Sequence, residues 1–309
     1  MASQPLIGVD VGGTNLRVGV VEGTSVVAER RYAADFSGLC KRLPPEQALD
    51  AVVQSLQDSL RQALTEFPRV QAIGLGFPGF VQPGNGHITQ SPNLPGLNQV
   101  DLATPLCAAL GLPVIVENDA LAAAYGEYKL SATPLEGLIY LGLGTGVGGG
   151  LIASGKPFPG EHGVAMEVGH LIVEPGGRPC GCGNRWCMEQ YASASGVALS
   201  YREATGQEFT AHQIADLAAG GDAHAIAAYA EAGERLAQAL AHILKVVDIE
   251  TVLIGGGMSA GWPLMQAAFE RRMQEDLIPA LRGQVRVVLS QAGDQAGMIG
   301  AALLAGNRR

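Results

Sequence analysis

The sequence predicts an α/β protein of two lobes, each opening on a strand, a glycine turn and a second strand. Three observations carry that expectation. At 309 residues the chain is long enough for two substantial cores, since domains commonly run to about 100–200 residues. Apolar β-branched runs recur along it between amphipathic helical stretches, the pattern of alternating strands and helices. The opening also repeats internally: Leu138-Ile139 matches Leu6-Ile7, and Gly144-Thr145-Gly146 falls at the offset of Gly12-Gly13-Thr14, 132 residues on throughout. Matched flanking strands point to a duplicated α/β domain.

Leu6 to Val21 is apolar on both sides of its glycine turn and reads as a strand-loop-strand. Glu46 to Phe67 spaces Leu49, Val52, Val53, Leu56, Leu60 and Leu64 at three- and four-residue intervals, which predicts an amphipathic helix. Val70 to Phe77 and Pro113 to Glu117 read as strands, and Ala120 to Lys129 as a helix opening after Asn118-Asp119. Leu138 to Gly155 repeats the opening unit. Asp222 to Val247 is a long alanine-rich helix, Thr251 to Ile254 a strand running into Gly255-Gly256-Gly257, and Gln284 to Leu289 a strand before a closing helix from Gln295. The expected lobes are residues 1–118 and 119–294, with 295–309 packing back on the first.

Hydrophobic residues make up 47% and charged residues 16%, a globular balance with apolar surface to spare for subunit contact. The formal charge of −9 argues against nucleic acid and anionic membranes, which call for a basic face. No stretch approaches the roughly 20 apolar residues that span a bilayer. Met1 to Pro5 is short and polar, and Asp10 and Arg17 follow it, so no signal peptide is expected and the protein is expected in the cytoplasm.

Glycine turns after strands expose backbone amides that can wrap phosphate oxygens. One such turn is only a tight hairpin. Three, at 12–14, 144–146 and 255–257, each behind a strand signal, point to a nucleotide. Asp10 precedes the first turn, where its carboxylate can hold a magnesium ion or cap the turn. Thr14 and Thr145 can each offer a hydroxyl to a phosphate. A dinucleotide-binding dehydrogenase is the rival reading of Gly144-Thr145-Gly146-Val147-Gly148-Gly149. That fold needs a helix next, and Gly149-Gly150-Leu151-Ile152-Ala153 is strand material. No glycine turn runs into Lys-Ser or Lys-Thr, so a P-loop is absent.

Five cysteines, three of them between 180 and 187, fit a metal site better than a disulfide framework. His170, Cys180, Cys182 and Cys187 offer one imidazole and three thiolates, a tetrahedral zinc set, with Pro179, Gly181 and Gly183 supplying turns. Four protein ligands leave no open position, so the zinc is expected to be structural. Glu167 and Glu189 flank the ligands. Glu117-Asn118-Asp119-Ala120 lies between a buried strand and a helix, where α/β proteins place active-site residues. Asn and Asp there are also preferred helix caps, whereas phosphoryl transfer to an alcohol asks for a carboxylate base, a role open to Asp119. Phe77-Pro78-Gly79 and Ser91-Pro92-Asn93-Leu94 add turns, Asn93 with a donor and an acceptor suited to a polyol.

Together these residues closely resemble the ROK family, bacterial sugar kinases and sugar-responsive repressors of the actin and hexokinase superfamily. The resemblance covers essentially the whole chain. Asp10-x-Gly12-Gly13-Thr14-x-x-Arg17 resembles the family's first phosphate motif, Gly144-Thr145-Gly146 its second, and Gly255-Gly256-Gly257 its adenosine-side turn. Glu167-Val168-Gly169-His170 and Cys180-Gly181-Cys182-Gly183 through Cys187-x-Glu189 resemble its two most specific signatures. Trp186 stands where the family usually has glycine, and Leu121 where a small or polar residue is common.

The resemblance implies an actin-like, ribonuclease H-like duplicated α/β fold with the active site in the interlobe cleft. It implies that Asn118, Glu167, His170 and Glu189 bind sugar hydroxyls, that Gly79 and Asn93 line the same pocket, and that Asp119 is the general base. It further implies ATP with Mg2+, a structural Zn2+, and a homodimer. The repressor branch carries a winged helix before its first strand; with that strand expected at Leu6, no DNA-binding module is expected. The expected reaction is phosphorylation of the 6-hydroxyl of an aldohexose, glucose first. N-acetylglucosamine, N-acetylmannosamine, mannose and fructose kinases are the near alternatives, and a non-catalytic sugar sensor the alternative of another class.

Overall fold

The computed structural model describes residues 4–307. Its first half runs through β1 (Leu6–Val11), β2 (Asn15–Glu22), β3 (Ser25–Ala33), α1 (Phe36–Arg42), α2 (Pro45–Glu66), β4 (Ile73–Phe77), β5 (Phe80–Val81), β6 (His87–Gln90), β7 (Asn98–Asp101), α3 (Ala103–Leu110), β8 (Val114–Asn118) and α4 (Asp119–Leu130). There follow β9 (Gly137–Leu143), β10 (Val147–Ala153), β11 (Lys156–Pro157), α5 (Glu189–Ala192), α6 (Ala194–Thr205), α7 (Ala211–Ala219), α8 (Ala223–Val247), β12 (Thr251–Gly255), α9 (Trp262–Asp276), β13 (Arg286–Leu289) and α10 (Gln295–Asn307). No helix of the described residues is long and apolar enough to cross a membrane.

The two large sheets have one winding. Their strand orders are β3-β2-β1-β4-β8 and β11-β10-β9-β12-β13, with β5-β6-β7 as a small third sheet. In the first, β1 is antiparallel to β2 and parallel to β4, which is parallel to β8. In the second, β12 runs parallel to both β9 and β13. The 132-residue offset carries Asn15, the first residue of β2, onto Val147, the first of β10. The repeat seen in two glycine turns is thus a repeat of whole sheets.

The described chain divides into two compact units, residues 4–136, 150–165 and 294–307 in one, and 137–149 and 166–293 in the other. The division falls at 136/137 rather than after Asn118. Helix α4 belongs to the first unit because it packs on α10, and 150–165 returns there because Gly150 lies against Ala120 and Ala124 of α4 and Gly163 against the Val81 carbonyl. In the first unit α2 starts at Pro45, whose missing N–H suits a first helical turn. Val52, Leu56 and Leu60 are fully buried in its core, with Leu49, Val53 and Leu64 half-buried around them. In the second unit α8 is capped by Asp222, which accepts the Ala225 N–H at 2.8 Å. Its Gly233 lets the Met265 backbone of α9 come close.

Helix α10 is seated by glycines. A Cβ on Gly8 of β1 or Gly74 of β4 would strike the carbonyl oxygens of Met298 or Ala301, and one on Gly126 of α4 the carbonyl oxygen of Ala296. From its own side, a Cβ on Gly300 would strike the Ala122 carbonyl. Gly300→Ala should therefore destabilise the protein by about 3 kcal/mol through overpacking against backbone. Gly297→Ala, in the same helix with open space around it, should be neutral or stabilising by about 0.5–1 kcal/mol. Denaturant unfolding of the two variants checks this, and equal effects would refute the seating.

Candidate active site and metal centre

In the first unit the site grows from the ends of β1, β4 and β8. The Gly12 N–H closes the β1–β2 turn on the Asn15 carbonyl (2.9 Å), and Ser37 N–H reaches the Gly13 carbonyl (2.9 Å). The Gly12 amide is thus spent on the hairpin. Asp10, opposite Arg17 in register, pairs with it at 3.5 Å; Arg17 also meets Asp294 at 3.0 Å and Glu29 at 3.5 Å. Burial raises the Asp10 carboxyl above its ordinary range, against the pull of Arg17.

Asn118 and Asp119 divide two tasks. Asn118 is the helix cap: its Oδ1 accepts the Leu121 N–H at 2.9 Å, and its Nδ2 donates to the Gly79 carbonyl at 3.1 Å. Asp119 is the first residue of α4, with Oδ1 accepting the Ala120 N–H at 2.8 Å. Burial, and to a lesser degree the charge of Asp10, push its carboxyl up to about 6 against that hydrogen bond. Gly79 is a close approach, since a Cβ there would lie 2.8 Å from the Gln90 carbonyl oxygen. Asn93 has an exposed side chain and is tied to the turn region by its carbonyl, which accepts from Ser37 Oγ at 3.4 Å. Leu121 is buried in the core.

In the second unit His170, Cys180, Cys182 and Cys187 converge, with all four ligand atoms within 4.8 Å of one another. Cys182 and Cys187 sulfurs are 3.7 Å apart, and His170 Nδ1 lies 3.7 Å from Cys180 Sγ. Tetrahedral zinc with bonds of about 2.3 Å to sulfur requires edges of about 3.8 Å; these two separations match it, and one imidazole with three thiols is a donor set that suits the ion. His170 Nε2 points the other way, 3.9 Å from Glu167 Oε2. The loop is shaped by backbone bonds from Trp186 N to Arg178 O (2.7 Å) and Cys180 N to Asn184 O (2.9 Å). Trp186 has φ 74°, the left-handed region in which a side chain is strained and glycine is not. That is the physical reason glycine suits this position.

The second and third glycine turns adjoin. Gly144 N–H bonds to the Gly146 carbonyl at 2.9 Å, and a Cβ on Gly256 (φ 81°) would strike the Leu143 carbonyl. Gly255 is pressed against Tyr140, while Gly257 faces open space. Beside Thr145 lies an open cavity of about 440 Å3 lined by Ala194, Ser195, Phe209 and Gln213 among others. Glu189 reaches this turn, its Oε2 accepting the Val147 N–H at 3.0 Å.

With the geometry in place, comparison with known proteins decides the family. The family model described as ROK family matches residues 6–308. The chain belongs to the ROK family. It is 31% identical to a glucokinase of Streptomyces coelicolor over 97% of this chain and 96% of that one. It is 33% identical to an N-acetyl-D-glucosamine kinase of Escherichia coli over 96% of this chain and 98% of that one. A crystal structure of a ROK family glucokinase from Streptomyces griseus in complex with glucose and AMPPNP superposes with TM-score 0.80 and 31% identity, covering 98% of this chain and 99% of that one. The actin-like ATPase fold expected of a ROK protein is the fold observed.

Several supporting residues of this ROK chain carried no sequence signal. Arg178 lies over the Tyr191 ring at 4.4 Å and donates to the Gln190 carbonyl, Ser200 Oγ and Glu203, pinning the metal loop to α5 and α6. Gln190 Nε2 donates to Cys180 Sγ at 3.6 Å. Ser37 was hidden because it meets Gly13 and Asn93 only through the fold; its serine type at a helix start was the one available hint. The purified protein should hold about one zinc per chain, and Cys187→Ala should lose it. Elemental analysis tests both, and a metal-free wild type with its full thermal stability would overturn the assignment.

Proposed function

We propose that this chain is an ATP-dependent hexose kinase that transfers the γ-phosphoryl group to the 6-hydroxyl of an aldohexose, glucose first. The observation that carries the reading is Asp119. The neighbouring Asn118 takes over the helix cap, and burial holds the Asp119 carboxyl near 6, so just above that pH it is an ionised base poised to accept a hydroxyl proton. The substrate oxygen attacks the γ-phosphorus as its proton passes to Asp119, and ADP departs. Asp10 would hold Mg2+, which would supply charge neutralisation at the phosphates, and the chain's other work is positioning.

In this reading Gly79, Asn93, Asn118, Glu167, His170 and Glu189 bind the sugar, and the turns at 12–14, 144–146 and 255–257 bind the nucleotide. His170 would hold zinc through Nδ1 and leave Nε2 as a hydroxyl partner, with its tautomer set by the metal. Zinc held by these four ligands would shape the loop and, with no open coordination position, would take no part in the chemistry. Glucokinases among the relatives support glucose. An N-acetylglucosamine kinase at comparable identity supports the second reading, an N-acetylhexosamine, because one acetamido group is discriminated by pocket shape rather than by these motifs. The low charged fraction supports a homodimer, and the protein is read as cytoplasmic.

One variant tests the base in two ways. Asp119→Asn should lower kcat by about 10^2–10^4-fold while hexose affinity is kept. Wild-type kcat/KM should fall as pH drops below about 6. The folded carboxyl titrates near 6 and the unfolded one near 3.8, so between them the folded state holds a proton that the unfolded state has lost. Stability therefore declines as pH rises through that window, and ionised Asp119 is a net cost above it. Asp119→Asn should be more stable than wild type by about 1–3 kcal/mol at pH 7–8, allowing for partial exposure, with the difference vanishing below pH 4. A variant with normal turnover, or with no pH-dependent stability gain, contradicts the assignment.

A further inference from the structure

The metal loop and the second glycine turn are fastened to each other within one unit. Glu189 Oε2 accepts the Val147 N–H at 3.0 Å, and Gly146 is the residue that makes room, since a Cβ there would collide with that oxygen. At the other end of the turn the Ala194 N–H donates to the Gly144 carbonyl at 2.9 Å. Between these two grips Ser193 Oγ donates to the Glu189 carbonyl at 2.7 Å and accepts the Gly196 N–H at 3.0 Å. Residues 189–194 therefore hold the turn at both ends.

What holds Glu189 is the metal loop. It lies two residues beyond Cys187. The Met188 N–H bonds to the Leu171 carbonyl at 2.8 Å, next to His170, and Gln190 N–H to the Cys187 carbonyl at 3.0 Å. A carboxylate beside a phosphate-binding turn carries an electrostatic disadvantage, as it repels a triphosphate. Its charge-assisted hydrogen bond to a turn amide is the compensating gain, because it fixes the geometry of the neighbouring amides before any ligand arrives.

We propose that the Glu189 carboxylate is a positioning clamp for the nucleotide turn, so that nucleotide affinity depends on it even when no sugar is present. The inference rests on the reading of residues 144–146 as a phosphate turn and adds a duty to a residue otherwise read as a sugar ligand. One carboxylate oxygen serves the turn and the other is left for a hydroxyl.

The test is AMPPNP binding by calorimetry, with Mg2+ and without sugar, on wild type, Glu189→Ala and Glu189→Gln, paired with amide hydrogen exchange of segment 142–149. Glu189→Ala should bind AMPPNP about tenfold more weakly and exchange faster at Val147. Glu189→Gln keeps an acceptor oxygen and sheds the repulsion, so it should bind at least as well as wild type and exchange as slowly. If the alanine variant does not fold, Glu189→Asp, one methylene short of the amide, takes its place with the same expectation. Unchanged affinity and exchange in the alanine variant would overturn the clamp and leave Glu189 a sugar ligand only. Tighter binding in both variants would overturn it too, showing repulsion alone. Wild type that binds no nucleotide would instead overturn the kinase reading.

Discussion

Backbone-to-backbone packing of α10 is the constraint on which the first unit's chemistry depends. Gly8, Gly74, Gly126 and Gly300 remove the Cβ atoms that would keep this helix away from β1, β4 and α4. Asp10 stands two residues beyond Gly8 on β1, and Asp119 opens the helix that carries Gly126. The strand bearing one carboxylate and the helix bearing the other are thus set by the same contact, at a spacing where the charge of Asp10 is felt by Asp119. A looser seat would change both the reach and the acidity of Asp119.

Positioning in the second unit is achieved differently, by a short loop. Closely spaced cysteines, a left-handed tryptophan and a bracing arginine hold residues 170–190 in one shape. The ligand atoms of His170, Cys180, Cys182 and Cys187 converge there, so a metal ion bound to them would add cross-links to the loop. It carries His170 and Glu189, and Glu167 stands just before it. Gly149 and Gly169 admit the Met166 and Val147 carbonyls, which lets the loop lie directly against β10.

Much of this was legible in the residues. The glycine turns, the repeat of the sheets, α2 and the convergence of His170 with three cysteines all rest on local spacing or on residue chemistry that few other arrangements satisfy. What was hidden depends on contacts distant in sequence. The return of 150–165 to the first unit is decided by Gly150 and Gly163 meeting α4 and Val81. Asn118 and Asp119 are equivalent as candidate caps in sequence, and only the direction of each side chain makes Asn118 the cap. The hold of Glu189 on Val147 spans 42 residues, and the strain at Trp186 arises from a hairpin that no periodicity announces.

Phosphoryl transfer from ATP to a hexose hydroxyl can be followed directly by phosphorus NMR of the protein with ATP, Mg2+ and glucose. A sugar 6-phosphate monoester signal should grow, matched one for one by ADP. Inorganic phosphate appearing in its place, or ATP left intact with glucose and with each of the alternative sugars, would contradict it.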